Sequence, residues 1–118
     1  VFGDGLQLRD FNYVDDCVEA LLLAGANNNA NGRVYNLGSS EIICLSDLAE
    51  IMINLGVSGK YELEPFPTER KAIDIGDYYS DYSLITKELG WAPKIDLRDG
   101  LKRTLNYYRE HFSHYWDK

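Results

Sequence analysis

The sequence predicts a mixed α/β layer, a small sheet with packed helices, and three observations predict it. Apolar residues recur at helical spacing in stretches that open on acidic or hydroxyl residues and close on glycine. Between them lie short alternating segments bounded by Gly, Pro and Asn, as strands are. The resulting order is strand, helix, strand, strand, helix, strand, helix, helix, with no repeat and no linker, so 1–118 reads as one unit.

Taken in order, Val1-Phe2 reads as a strand end and Gly3-Asp4-Gly5 as a turn into an extended segment from Leu6 to Val14. The sequence opens without Met, as if in mid-strand, so it is expected to be a piece of a longer protein, burying less than a full domain would. Val14, Cys17, Val18, Leu21 and Leu22 then share one helical face, with Asp15 and Asp16 in the first turn where the helix dipole favours anions. This helix should end near Gly25, and the asparagine-rich run 27–32 is an exposed loop. Arg33 to Gly38 reads as a strand, Ser39-Ser40 as a turn, and Glu41 to Leu45 as a second short strand. Ser46 is the expected N-cap of a helix carrying Leu48, Ile51, Met52 and Leu55, closed by Gly56. Lys60 to Phe66 alternates as a strand, and Pro65 and Pro67 end it because proline has no donor for the ladder.

Thr68 to Asp77 is irregular and charged, the composition of a loop that carries function or is simply solvated. Asp81 or Ser83 caps a helix through Leu84, Ile85 and Leu89 that stops at Gly90, and Trp91-Ala92-Pro93 turns the chain. Asp96 with Asp99 opens the last helix, whose face is Leu101, Leu105, Tyr108 and Phe112, running to about His114.

Composition excludes several function classes. A net charge of −7 argues against a nucleic-acid partner, which needs clustered Lys and Arg. No apolar run approaches the ~20 residues of a membrane helix, and no signal peptide is visible, so no membrane partner is expected. Cys17 and Cys44 fit neither a disulfide framework nor a zinc spacing and read as buried free thiols of a cytoplasmic protein. His111 and His114 stand three apart, but no carboxylate or cysteine completes a metal set.

Two constellations carry binding chemistry. Arg9, Phe11 and Tyr13 alternate on one side of an extended segment, where a planar guanidinium beside rings suits phosphate plus a flat base or sugar. From residue types alone, an internal ion pair to Asp10, Asp15 or Asp16 explains Arg9 equally well. Arg70 and Lys71 with Asp74 could hold diphosphate while the carboxylate accepts from ribose hydroxyls; an exposed loop salt bridge is the plainer alternative. No glycine-rich G-x-G-x-x-G or G-x-x-G-x-x-G turn is present, Tyr13, Tyr35, Tyr61, Tyr78, Tyr79, Tyr82, Tyr107 and Tyr108 all lack a lysine four residues on, and no nucleophile stands with its base. The chain holds no visible catalyst.

Val1-Phe2-Gly3-Asp4-Gly5, Arg9 to Asp16, Val34-Tyr35-Asn36-Leu37-Gly38, Asp81-Tyr82-Ser83, Glu88 to Pro93 and Asp99-Gly100-Leu101 together closely resemble the carboxy-terminal part of NAD-dependent nucleotide-sugar epimerases and dehydratases. These belong to the extended short-chain dehydrogenase/reductase superfamily, which includes UDP-galactose 4-epimerase. The resemblance covers essentially the whole chain. It implies the carboxy-terminal part of that fold, with a Rossmann half elsewhere that binds NAD and holds the Tyr-x-x-x-Lys catalytic groups. By resemblance, residues 1–118 are the nucleotide-sugar binding domain: Arg9 contacts diphosphate, Phe11 is the accompanying aromatic, Phe2 lines the base pocket, and Arg70 or Lys71 with Asp74 contact phosphate and ribose. The epimerases separate that last pair by two residues, which favours Lys71. Asp15 and Asp16 are expected to cap the helix and orient Arg9, with Asn36 and Trp91 structural. The longer enzyme is expected to be a cytoplasmic homodimer, an epimerase inverting C4 or a dehydratase, and this chain alone to be inactive. A stand-alone nucleotide-sugar binding module without catalysis is the alternative, and a bare folding unit with half a pocket is a third.

Overall fold

The computed structural model describes residues 1–56 and 58–116. Strand β1 (Leu8–Asp10) pairs antiparallel with β2 (Ile42–Cys44), placing Leu8 opposite Cys44, Arg9 opposite Ile43 and Asp10 opposite Ile42. The free edge of β1 takes a single parallel bridge from Arg9 to Tyr78, closed by Tyr78 N donating to Leu8 O at 3.0 Å. Helix α1 (Val14–Ala26) follows β1 and α2 (Leu45–Asn54) follows β2 directly. The rest is α3 (Thr68–Lys71), α4 (Ser83–Leu89), α5 (Leu97–Glu110) and α6 (Phe112–Tyr115), plus a 3-10 turn at Asn28–Ala30. The mixed α/β class is therefore as predicted, with a sheet of only two short strands.

The core is a small wedge of Trp91, Ile85 and Ala20, with Leu23, Tyr35, Leu37, Tyr82 and Leu89 packed around it. Tyr82 meets Trp91 edge to face with centroids 5.9 Å apart, a favoured geometry for two ring quadrupoles. Trp91 Nε1 donates to Asp16 O at 2.9 Å, so the largest buried side chain also has its polar atom satisfied. The radius of gyration is 17.0 Å, whereas a compact domain of this length is expected at roughly 13.5 Å. Little apolar surface is sealed: Val14, Leu21 and Leu22 on the outer side of α1 are 60%, 71% and 68% exposed.

Local chemistry accounts for the helices. In α5, Asp96 is the N-cap, its carboxylate accepting from Asp99 N at 2.7 Å. In α4, Asp81 accepts from Ser83 N at 2.8 Å, and that bond holds the Asp81 carboxyl below its ordinary range. Gly90 closes α4 at φ 72°, a left-handed conformation a side chain would strain.

Several expectations need correction. Residues 33–38 form no strand, because among the described residues no neighbouring strand supplies a ladder. Residues 60–66 contribute only the bridge of Glu64 to Phe2; Pro65 lacks a donor and 62–65 are exposed. Ser46 does not cap α2: the helix begins at Leu45 with Cys44 as cap, two residues earlier than expected, and the Ser46 hydroxyl donates to Gly5 O at 3.2 Å. The last helix breaks at His111, whose ring stacks on Tyr107 with centroids 4.3 Å apart, and α6 is one further turn. Both cysteines are free; Cys44 is buried and Cys17 half-buried, and desolvation, with the Asp16 charge second, pushes the Cys17 thiol up.

Candidate nucleotide-sugar site

Four of the six candidate residues lie along one seam, where the segment 66–78 runs past residues 1–9. At one end Phe2 packs against Phe66 with centroids 5.8 Å apart, and the Arg70 guanidinium sits 5.4 Å over the Phe2 ring. A cation on a ring face is attracted by the ring quadrupole, so Arg70 is positioned without a carboxylate partner of its own in the described contacts. At the other end Arg9 leaves β1 toward the same loop. Its guanidinium donates to Leu8 O at 2.7 Å and to Gly76 O, and stands 4.0 Å from Asp74 Oδ1.

That arrangement leaves Arg9 incompletely used. Five N–H donors meet two carbonyl oxygens, and 4.0 Å is an ion-pair distance, too long for a hydrogen bond. Only 22% of the Arg9 side chain is exposed, so its charge is partly desolvated and has donors left to aim at an anion. None of Asp10, Asp15 and Asp16 is its partner. Asp10 accepts instead from Ser39 N and Ser80 N at 3.2 and 3.0 Å, and Asp16, 2% exposed, accepts from Lys94 N and Ile95 N at 3.1 and 3.0 Å. Asp16 thus neither caps α1, which has no side-chain cap, nor orients Arg9. Its two acceptor bonds satisfy a buried carboxylate and pin the turn after Trp91.

Asp74 is held from a second side by Gln7, whose amide donates to Asp74 Oδ2 at 2.9 Å, and Leu8 N donates to Asp77 Oδ1 at 2.9 Å. Gln7 was not among the candidates. Its signal was present: Gln7 and Arg9 are two apart, and period two puts them on one side of an extended segment. Lys71 lies in α3, exposed, its side chain without a hydrogen bond or ion pair among the described residues, and it is Arg70 rather than Lys71 that contacts a candidate ring. Phe11 is elsewhere. β1 ends at Asp10, and Phe11 and Tyr13 line a hollow of about 220 Å³ with Leu48, Ile95, Leu97 and Leu101. Arg103 stands 5.6 Å over the Tyr13 ring there.

A dinucleotide cradle needs a glycine-rich turn from a strand into a helix. The β1–α1 junction is Phe11-Asn12-Tyr13 and β2 runs into α2 with no loop, so neither strand-to-helix junction among the described residues is such a cradle. Among the described residues no helix is long and apolar enough to cross a membrane.

Residues 1–104 match the family model described as GDP-mannose 4,6 dehydratase. The chain belongs to that family. Its relatives are nucleotide-sugar epimerases and dehydratases of the extended short-chain dehydrogenase/reductase type. A dTDP-glucose 4,6-dehydratase of Streptomyces griseus is 33% identical over 117 residues, covering 99% of this chain and 34% of its own length. The UDP-glucose 4-epimerase of Thermotoga maritima, crystallised with UDP-glucose, superposes with a TM-score of 0.80 at 32% identity, over 95% of this chain and 35% of that one. The UDP-glucuronic acid 4-epimerase of Bacillus cereus in complex with NAD gives 0.74 at 28%, over 93% and 32%. This family member thus spans about a third of the length of those relatives.

Proposed function

We propose that this chain grips the nucleotide diphosphate of an activated sugar within an NAD-dependent nucleotide-sugar 4-epimerase, whose hydride transfer takes place on a part of the protein outside these residues. The observation that carries the reading is Arg9: a partly desolvated guanidinium on a strand, held by two carbonyl oxygens, with donors to spare and a carboxylate 4.0 Å away. In this reading Arg9 takes the diphosphate, and Phe2 with Arg70 stacked over it forms one wall for the base. Asp74, steadied by Gln7, accepts from ribose hydroxyls, and Lys71 on the exposed turn adds charge at the rim. Phe11 contributes through the hollow beside Tyr13, not through the seam.

With no glycine-rich turn and no Tyr-x-x-x-Lys in these 118 residues, the chain alone should turn over no nucleotide sugar. The test is calorimetric titration of UDP-glucose into wild type and Arg9→Ala. Arg9→Ala should weaken binding about tenfold or more, as expected for a lost charge-assisted bond. Equal affinity of the two proteins, or no binding by wild type, would overturn the reading. A dehydratase is the second reading, favoured by the matching family model and the Streptomyces griseus relative. Tighter binding of dTDP-glucose or GDP-mannose than of UDP-glucose would favour it.

A further inference from the structure

The Asp74 carboxylate faces two donors and is bonded to one. Its Oδ2 accepts from Gln7 Nε2 at 2.9 Å, while its Oδ1 stays 4.0 Å from Arg9 Nη2. Only 22% of the Arg9 side chain and 23% of the Asp74 side chain are exposed, so both charges are partly desolvated. A guanidinium and a carboxylate so placed gain by closing to a charge-assisted contact of about 2.8 Å. The missing distance, about 1 Å, is within the sweep of a carboxylate rotating on its own side-chain bonds. The backbone around the pair is stapled: Leu8 N donates to Asp77 Oδ1 at 2.9 Å, Tyr78 N donates to Leu8 O at 3.0 Å, and Arg9 Nη1 donates to Leu8 O and Gly76 O. What is left to adjust is the Asp74 side chain, and Gln7 is the group that holds it.

We propose that Gln7 is a positioning residue that acts as a spacer: by engaging Asp74 Oδ2 it keeps the carboxylate off Arg9 and leaves the Nη2 donors open to a diphosphate. A primary amide suits this task because it is a neutral donor. It fixes a carboxylate without cancelling either charge, whereas a lysine at position 7 would neutralise Asp74 and a glutamate would repel it. Period two along the extended segment puts Gln7 and Arg9 on one side, which is how a spacer and the cation it frees reach the same carboxylate. The inference rests on the reading of Arg9 as the diphosphate ligand.

The test is a double-mutant cycle on Gln7 and Asp74. Inorganic pyrophosphate, which has no base, ribose or sugar, is titrated calorimetrically into wild type, Gln7→Ala, Asp74→Asn and the double variant. Gln7→Ala lets Asp74 close on Arg9 and should weaken pyrophosphate binding about tenfold, the size of one charge-assisted bond. Asp74→Asn should strengthen binding only about threefold in wild type, by removing a like charge, yet recover the whole loss in the Gln7→Ala background. A second readout needs no ligand: proton exchange at Arg9 Nη, followed by nitrogen-edited NMR, should slow about fivefold or more in Gln7→Ala and return to the wild-type rate when Asp74→Asn is added. Gln7→Met, of similar length and without a donor, should behave as Gln7→Ala and controls for the lost volume. Additive effects on pyrophosphate overturn the proposal, as does unchanged Arg9 exchange in both Gln7 variants. If none of the proteins binds pyrophosphate while the exchange cycle comes out as stated, the spacer stands and the ligand reading of Arg9 falls.

Discussion

Two junctions tie the beginning of this chain to its later half, and they are built in opposite ways. At the first, Asp16 and Trp91 are almost wholly buried, and every polar atom they present inward is spent on a backbone partner. At the second, Arg9 and Asp74 sit at an ion-pair distance with about a fifth of each side chain exposed, and Arg9 keeps unused donors. The first junction is saturated and the second is not. Saturated buried polar groups specify a fold, whereas an unsaturated, half-desolvated cation is free to take a ligand. Substitutions at the two places should therefore separate stability from binding.

The sharpest way to break that contrast is Trp91→Ala, which empties the centre of a very small core and should cost about 3–5 kcal/mol. Urea unfolding of the purified chain would measure it, and a loss under 1 kcal/mol would mean the wedge is not where stability resides. Next comes Asp16→Ala, which strands the N–H groups of Lys94 and Ile95 and should cost about 1–3 kcal/mol in the same experiment. Gly38→Ala follows, at about 1–3 kcal/mol from forced contact with Asp10 and Ser80. Arg9→Ala should show the reverse profile, a change in unfolding free energy within about 1 kcal/mol beside the loss of UDP-glucose binding. If it destabilises as much as Asp16→Ala, the two junctions are alike after all.

The smallest effect is a pH dependence. The Tyr35 hydroxyl, and secondarily Arg33, holds the half-buried Glu88 carboxyl below its ordinary range. A depressed folded value means the contribution is complete above the unfolded carboxylate pKa of about 4.3 and is lost as pH falls through the folded value. The melting temperature should thus fall on acidification through that window, and Glu88→Gln should flatten that part of the curve. The same contact raises the Tyr35 hydroxyl, chiefly through its hydrogen bond to Glu88, so Tyr35→Phe should flatten the curve similarly.

Helices were legible where their signals are local. Asp96 with Asp99, and Gly90 after Leu89, are decided by near neighbours and act as read, whereas the cap of α4 is Tyr82 rather than Asp81 or Ser83, and Asp81 only accepts from Ser83 N. Strands were legible only in part: β1 and β2 fall within the expected segments 6–14 and 41–45, but a strand exists only with a partner, so 33–38 has the pattern and no ladder, and 60–66 keeps one bridge. In the site, Phe2, Arg9, Arg70 and Asp74 were legible as residue types suited to a nucleotide diphosphate. What brings them together was not, since Gly76 O and Gln7 reach across 67 positions of sequence. The wrong partners chosen for Asp16 and Ser46 share that cause: each looked capped by its neighbours and is used by something distant.

Asp16 also has a bearing on how the molecule comes into being. It stands in the first turn of α1, yet the groups that satisfy it arrive 75 to 79 residues later. Residues up to Ile95 must leave the ribosome before that carboxylate can be enclosed, so β1 and α1 wait unfinished while the intervening segment is made. Ending the chain before Lys94 would leave them waiting permanently.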